Sequence, residues 1–341
     1  MTALDASVVI STFNRAEALM ETLAAFAKQD VPQDSYEVIV VDDGSTDNTW
    51  AELEAISTPY PLRTVRHEDN HGVSAGRNSG IRLARGRTLI FVSDDVLVSS
   101  SFVRQHLESL DRMPGYWVVG SFRQRDSASA SPFGRYLQGL ERSFESGRKA
   151  SEIAPGLWEM RWPTARNLSL PRADLDRIGL FDERFRTTCE DQDLAKRARD
   201  VGIRFAYSTE IDCVHNDQTA DLDRYCSFQE RGARDTVALC AKAPELHGGA
   251  PIVRVNGPIS SEDWPTLALK KACKLVLARW GPTQVLYDAI RAGERLRLPE
   301  PILRRAYRLA ISLAILRGWR AGLADDPSAR ARLDSPSRPP R

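Results

Sequence analysis

The sequence predicts an α/β protein built on a doubly wound, mostly parallel sheet, and three observations carry that expectation. Val38–Val41 is an all-β-branched run of strand length, the pattern of a parallel strand buried on both faces. Apolar runs of this kind alternate with helical patterns across short links. The runs also end in acids: Asp42 and Asp43 follow Val38–Val41, and Asp94 and Asp95 follow Leu89–Val92. Side chains at such strand ends face the crevice where open α/β sheets bind ligands.

In order along the chain, Val8–Ile10 reads as the first strand. Glu17–Lys28 reads as a helix with Leu19, Leu23 and Phe26 on one face. After Val38–Val41, Asp47 is placed as the N-cap of a helix through Trp50, Leu53 and Ile56. Ser79–Ala84 carries a helical pattern that stops at Gly86, and Thr88–Val92 is the next strand. Beyond Val118–Val119 the pattern loosens over residues 122–165, which include the flexible stretch RDSASASP and aromatics from Phe133 to Trp162. Asp174–Gly179 looks helical, and Asp191–Gly202 is a helix closed by a C-terminal glycine. From Leu222 the chain is mainly helical, with Thr266–Ala278 and Ile302–Leu323 carrying cationic faces. The expected organisation is an α/β domain over residues 1–225, a basic helical region over 226–323 and a disordered tail over 324–341.

At 341 residues and 27% charged, the chain has the composition of a soluble globular protein. MTALDAS leads directly into the first strand, so no N-terminal signal is expected. Five cysteines (Cys189, Cys213, Cys226, Cys240 and Cys273) form no CxxC pair and argue for a reducing cytoplasm without structural zinc. The net charge of +1 hides an asymmetry: residues 1–264 carry −9 and residues 265–323 carry +9. An acidic front domain repels phosphates unless a metal intervenes, which argues against nucleic acid as a partner. The longest apolar run, Leu309–Leu316, is far short of the roughly 20 residues a spanning helix needs. The basic helices therefore either lie on an anionic membrane surface or pack their apolar faces on the catalytic domain with solvated arginines.

SVVISTFNR, VDDGSTDNT, NHGVSAGRNSGI, FVSDDV, RNLSLPRADLDRIGLFDERF and CEDQDL occur in this order over roughly residues 5 to 220. In that order they resemble the motifs of family 2 glycosyltransferases of the GT-A fold. The resemblance implies a GT-A sheet with a C-terminal helical extension, and an inverting transfer of a sugar from a nucleoside diphosphate sugar (UDP by default) to an acceptor hydroxyl. It implies nucleotide-sugar contacts by Ser11, Asp43, Arg77, Asn78 and Asp94, with Asp42 either joining them or capping the following turn. Asp95 is the implied ligand of Mn²⁺ or Mg²⁺, and His215 is either a further metal ligand or a structural histidine. Asp191 matches the general base and Glu190 its neighbour in the motif. The family commonly has a small residue, usually glycine, before this acidic pair, and here it is Cys189. Trp158 and Trp162 are either a stacking face for a sugar or core residues. The implied setting is cytoplasmic synthesis of a cell-surface polysaccharide, glycolipid or glycosylated metabolite, with or without peripheral contact at the inner face of the membrane. The acceptor would be a saccharide, a lipid-linked molecule or a small molecule. The rivals are an inactive GT-A scaffold and a sugar nucleotidyltransferase. The latter wants a Gly-rich basic loop after the first strand, which STFNRAEAL does not supply.

Overall fold

A computed structural model describes residues 4–124, 131–146, 151–216, 221–243, 255, 263–280, 283–327 and 329. Chain contacts divide it into two units. The first comprises Met1–Ser129, Gln138–Arg186 and Glu190–Thr219, and the second Ala130–Leu137, Thr187–Cys189 and Ala220–Arg341.

The first unit carries the strands β1 (Ala6–Thr12), β2 (Tyr36–Asp42), β3 (Leu62–Arg66), β4 (Thr88–Val92), β5 (Val96–Val98), β6 (Tyr116–Gln124), β7 (Glu152–Ala154), β8 (Leu157–Glu159), β9 (Asn167–Pro171) and β10 (Arg204–His215). Between them run α1 (Ala16–Phe26), α2 (Thr49–Ala55), α3 (Val73–Leu83), α4 (Phe102–Arg112), α5 (Pro132–Ser146, of which 132–137 belong to the second unit), α6 (Arg172–Ile178) and α7 (Glu190–Asp200). The strands join in the order β3-β2-β1-β4-β9-β6-β10-β8-β7, with β5 paired to β10. The sheet is mixed: β3-β2-β1-β4 run parallel, while β9 lies antiparallel between β4 and β6.

Alternation along the central strands separates two apolar cores. Val8 and Ile10, Val38 and Val40, and Ile90 and Val92 join one cluster. Val9, Ile39, Leu89 and Phe91 join the other. Successive side chains point to opposite faces of a strand, so an uninterrupted apolar run is what a sheet buried on both sides requires. Parallel register then brings the ends of β1 and β2 level, with Thr12 opposite Asp42, and β4 runs alongside β1 in the same direction. At the opposite edge Ser7 donates to Glu37 at 2.7 Å, and the Arg85 and Gly86 amides donate to this pair. Every polar group named there is used by the fold itself.

Two expectations shift. The third helix begins at Val73, not Ser79, because its first turn is made of small residues. Ser74, Ala75 and Gly76 bury there without displaying an apolar period. The N-cap of α2 is Asn48. Asp47 acts one residue upstream, accepting from the Thr49 amide at 3.0 Å and its hydroxyl at 2.5 Å.

The second unit contains α8 (Leu222–Lys242), α9 (Pro265–Trp280), α10 (Thr283–Arg295) and α11 (Glu300–Asp325). Gly318 and Gly322, one helical turn apart, let α11 approach α8. A β-carbon on Gly318 would stand 1.8 Å from the Glu230 carbonyl. Arg317 pairs with Glu230 across the same contact at 2.8 Å. Residues 324 and 325 complete α11. Most of the expected disordered tail (324–341), and of the RDSASASP stretch, lies outside the described residues.

Gly86 has no room for a side chain, since a β-carbon would lie 2.4 Å from the Ala6 and Ser7 backbone. Gly86→Ala is therefore expected to destabilise the protein by about 2–3 kcal/mol, read as a lowered Tm. Gly139→Ala, in α5 with nothing within 4 Å, should be neutral or stabilising by about 0.5–1 kcal/mol.

Candidate active site

The residues after β1 and β4 form one buried acidic cluster. Thr12, the last residue of β1, donates to Asp94 Oδ2 at 2.7 Å. Arg15, at the start of α1, reaches Asp95 Oδ2 at 2.5 Å and lies 3.9 Å from Asp94 Oδ1. The antiparallel pairing of β5 with β10 sets His215 opposite Val96. His215 Nε2 thereby stands 3.3 Å from Asp95 Oδ2 and 2.8 Å from Arg166 Nη2. Protonated, that nitrogen donates to Asp95; unprotonated, it accepts from Arg166, and the unprotonated form is the one a cation needs. Burial pushes Asp94 up to about 6 against the pull of Arg15, with the Asp95 charge adding to the rise. Burial would raise Asp95 too, but its contact with His215 and the charges of Arg15 and Arg166 hold it well below the usual carboxylate range.

The second cluster joins α3 to α7. Gly76 packs on Ser11, where a β-carbon would meet the Ser11 hydroxyl at 2.1 Å. The next residue, Arg77, donates to Glu190 Oε1 at 2.6 Å and lies 3.6 Å from Asp191 Oδ1. Its guanidinium also stacks over Phe181 at 5.4 Å. Burial, reinforced by the Asp191 charge, pushes Glu190 up to about 8 despite Arg77. Ahead of this helix Cys189 takes a φ of +72°, the left-handed region that favours glycine. That conformation is the physical reason a glycine suits the position. Asp235 of α8 accepts from the Thr187 and Thr188 amides at 2.7 and 2.9 Å, fixing the turn.

The remaining expected residues are spent on loops. Asp42 Oδ1 accepts from the Ser45 amide at 3.0 Å, so the turn-capping alternative describes its contact. Asp43 accepts from His67 Nδ1 at 2.7 Å and from the His71 and Gly72 amides at 3.0 and 2.7 Å. Asn78 exchanges hydrogen bonds with the Phe181 backbone and donates to Glu183. Trp162 is stacked by Arg199 at 4.5 Å, and Trp158 is half-buried against the apolar core. Sequence reasoning did not single out Thr12, Arg15 or Arg166. Arg15 and Arg166 sit in quoted motifs, at the end of STFNR and the start of RNLSL, and that adjacency to strand ends was the available signal.

Four buried carboxylate oxygens, Asp42 Oδ2, Asp95 Oδ1, Asp191 Oδ1 and Asp223 Oδ1, have no hydrogen-bond partner among the described residues. Among those residues no three His, Cys, Asp or Glu side chains converge as a complete metal site. Asp95 and His215 nevertheless fit a hard divalent cation whose other ligands are phosphate oxygens and water. The orphaned Asp95 oxygen is the observation that favours this.

Residues 7–179 match glycosyl transferase family 2. The chain is 25% identical over 297 residues to an uncharacterized glycosyltransferase, YfnE, of Bacillus subtilis, covering 75% of this chain and 74% of that one. It is 32% identical over 229 residues to validoxylamine A glucosyltransferase of Streptomyces hygroscopicus subsp. jinggangensis, covering 60% of this chain. That alignment spans about half the relative's length (53%). Among solved structures, mannosyltransferase PcManGT from Pyrobaculum calidifontis, in complex with GDP-Man and Mn²⁺, superposes with a TM-score of 0.60 at 20% identity over 92% of this chain and 87% of that one. Residues 1–349 of Staphylococcus aureus TarS in complex with UDP superpose with a TM-score of 0.51 at 20% identity, covering 94% and 92% of the two chains. These likenesses establish the expected GT-A-type fold with its helical C-terminal region.

Because the folded value of Glu190 lies above its ordinary 4.5, its favourable contribution is full below about pH 4.5 and fades as pH rises through about 8. Arg77→Gln removes the countercharge and raises Glu190 further. The variant should lose about 1 kcal/mol at pH 6, where a proton substitutes for the arginine, and about 3 kcal/mol at pH 9. Urea midpoints at the two pH values check this, and a pH-independent difference would contradict it.

Proposed function

The chain belongs to glycosyl transferase family 2, and from that premise we propose that it transfers a sugar from a nucleoside diphosphate sugar to an acceptor hydroxyl with inversion at the anomeric carbon. The observation that carries the reading is the buried Oδ1 of Asp191, which accepts no hydrogen bond among the described residues and lies 3.6 Å from Arg77, beside a Glu190 that holds the same arginine at 2.6 Å. Division of labour follows from that asymmetry. Glu190 and Arg77 fix the start of α7, and the Asp191 carboxylate takes the proton of the acceptor hydroxyl as its oxygen attacks the sugar. The bond from the anomeric carbon to the new oxygen forms as the bond to phosphate breaks, and the nucleoside diphosphate leaves with the electron pair. The transition state is oxocarbenium-like, as in glycoside hydrolysis, and a single carboxylate base suffices for one inverting displacement.

On the donor side, Ser11, Asp43, Arg77 and Asp94 are the proposed nucleotide-sugar residues. Asp43 acts there by shaping the His71–Gly72 turn as well as by its own oxygens. Asp42 and Asn78 support the same pocket by holding the turn after β2 and the 181–183 segment. Mn²⁺ or Mg²⁺ held by Asp95 and His215 would neutralise the charge that develops on the departing diphosphate. In that arrangement Arg15 is the cation that shares the neutralisation, since it already stands on both carboxylates. UDP is the default nucleotide. Cell-surface polysaccharide, glycolipid or glycosylated metabolite is the proposed product class. An inactive scaffold is the weaker reading, because both acidic clusters retain a buried carboxylate oxygen that accepts no hydrogen bond among the described residues.

Asp191→Asn is expected to lower donor turnover by at least about a hundredfold, the scale of general-base catalysis, with the donor's thermal stabilisation retained. Release of nucleoside diphosphate from a panel of UDP-, GDP- and dTDP-sugars is the assay. Undiminished release in the variant would remove Asp191 as the base.

A further inference from the structure

The α9 helix half-buries Leu267, Ala268 and Ala272 on its inner side and yet shows a second apolar stripe to solvent. Its one buried lysine, Lys271, turns inward to meet Asp263 at 2.8 and 2.9 Å. Its solvent face carries Leu269, Cys273, Val276 and Leu277, residues spaced by one helical turn. Leu269 and Val276 are 65% and 58% exposed, and Trp264, just before the helix, is 69% exposed. A helix on a globular domain ordinarily keeps its apolar residues inside and its charges outside.

The charges on α9 are of one sign. Pro265–Trp280 contains Lys270, Lys271, Lys274 and Arg279 and no acid. Lys270 is exposed and Lys274 half-buried along the flank of the apolar stripe. Partial burial and the charges of Lys270 and Lys271 push the Lys274 ammonium below its ordinary range. The wider segment 265–323 carries +9. No helix among the described residues is long and apolar enough to cross a membrane. An exposed apolar stripe bordered by lysines is the composition of a helix that lies in a membrane interface.

We propose that α9 docks on an anionic lipid bilayer, with Leu269, Cys273 and Val276 in the headgroup–acyl boundary and Lys270 and Lys274 at the level of the phosphates. Complementarity of charge selects this occupant. A second copy seated through a two-fold axis would set the same lysine flank against itself. A soluble polyanion would use the lysines and leave the apolar stripe in water. The surface is independent of the transfer chemistry, so it stands or falls separately from the proposed function.

The test is cosedimentation of the full chain with vesicles of phosphatidylcholine alone and of phosphatidylcholine with phosphatidylglycerol. Binding is expected only to the anionic vesicles, declining as salt is raised. The double variant Leu269→Glu/Val276→Glu should bind at least about tenfold more weakly with an unchanged Tm, because both side chains are solvent-exposed. Lys270→Gln should weaken binding by about fivefold, the effect of one cation near such a surface. Absence of binding to both vesicles, equal binding to both, or undiminished binding by the double variant would overturn the proposal. So would a dimer of the free protein that the double variant abolishes, since that assigns the stripe to a second copy.

Discussion

Buried negative charge is the constraint around which the catalytic unit is arranged. Asp94, Asp95 and Glu190 are buried, and Asp191 is nearly so. An unpaired ionised carboxylate inside a protein costs several kcal/mol, so each pair needs a cation in contact. Arg15 supplies it to the Asp94–Asp95 pair and Arg77 to the Glu190–Asp191 pair. Both arginines come from the segments that pack on the end of β1, one starting α1 and one opening the second turn of α3. The positions of those helix starts are thus tied to the charges they neutralise. On the proposed reading a divalent cation and a diphosphate would bring balanced charge to the same place, so that a ligand could enter without leaving either cluster uncompensated.

The two edges of the sheet show how a structural acid differs from a functional one. Glu37 is as buried as any of the four, yet Ser7, the Arg85 amide and the nearby Arg63 surround it. It closes a turn and has no capacity left on the oxygen that does so. Asp95 and Asp191 each keep one buried oxygen that accepts no hydrogen bond among the described residues, with Arg77 3.6 Å from that of Asp191. Polar groups left unpaired in a folded interior are maintained against their own cost, and a ligand or a reacting proton is the use that repays it.

Much of this was legible in the sequence because strand periodicity and strand-end acids are local signals. Val38–Val41 announces its own burial, and Asp42, Asp43, Asp94 and Asp95 announce the edge. The partners of those acids were not legible, since contacts 80 or 113 residues apart, as in Arg15–Asp95 and Arg77–Glu190, leave no local period. Arg77 was read as a nucleotide contact, and its observed partner is the acidic start of α7. Asn78 reads as a ligand group in sequence and Asp42 as either that or a turn cap; both hold backbone segments in the structure, and short polar side chains serve either purpose equally well. The early start of α3 was hidden for a different reason: glycine, serine and alanine can bury against Ser11 without making an apolar stripe. Cys189 was noticed only as a larger residue than usual, whereas its left-handed backbone explains why size and shape matter there.

The central claim is that the Asp95–His215 end of the strands binds a nucleoside diphosphate through a divalent cation. Calorimetric titration of UDP, GDP and dTDP into the protein with and without Mn²⁺ tests it most directly. The account predicts that one of these nucleotides binds at least about tenfold more tightly with Mn²⁺, and that Asp95→Asn removes the difference. A nucleotide affinity indifferent to the metal in both proteins, or no binding by any of the three, would contradict it.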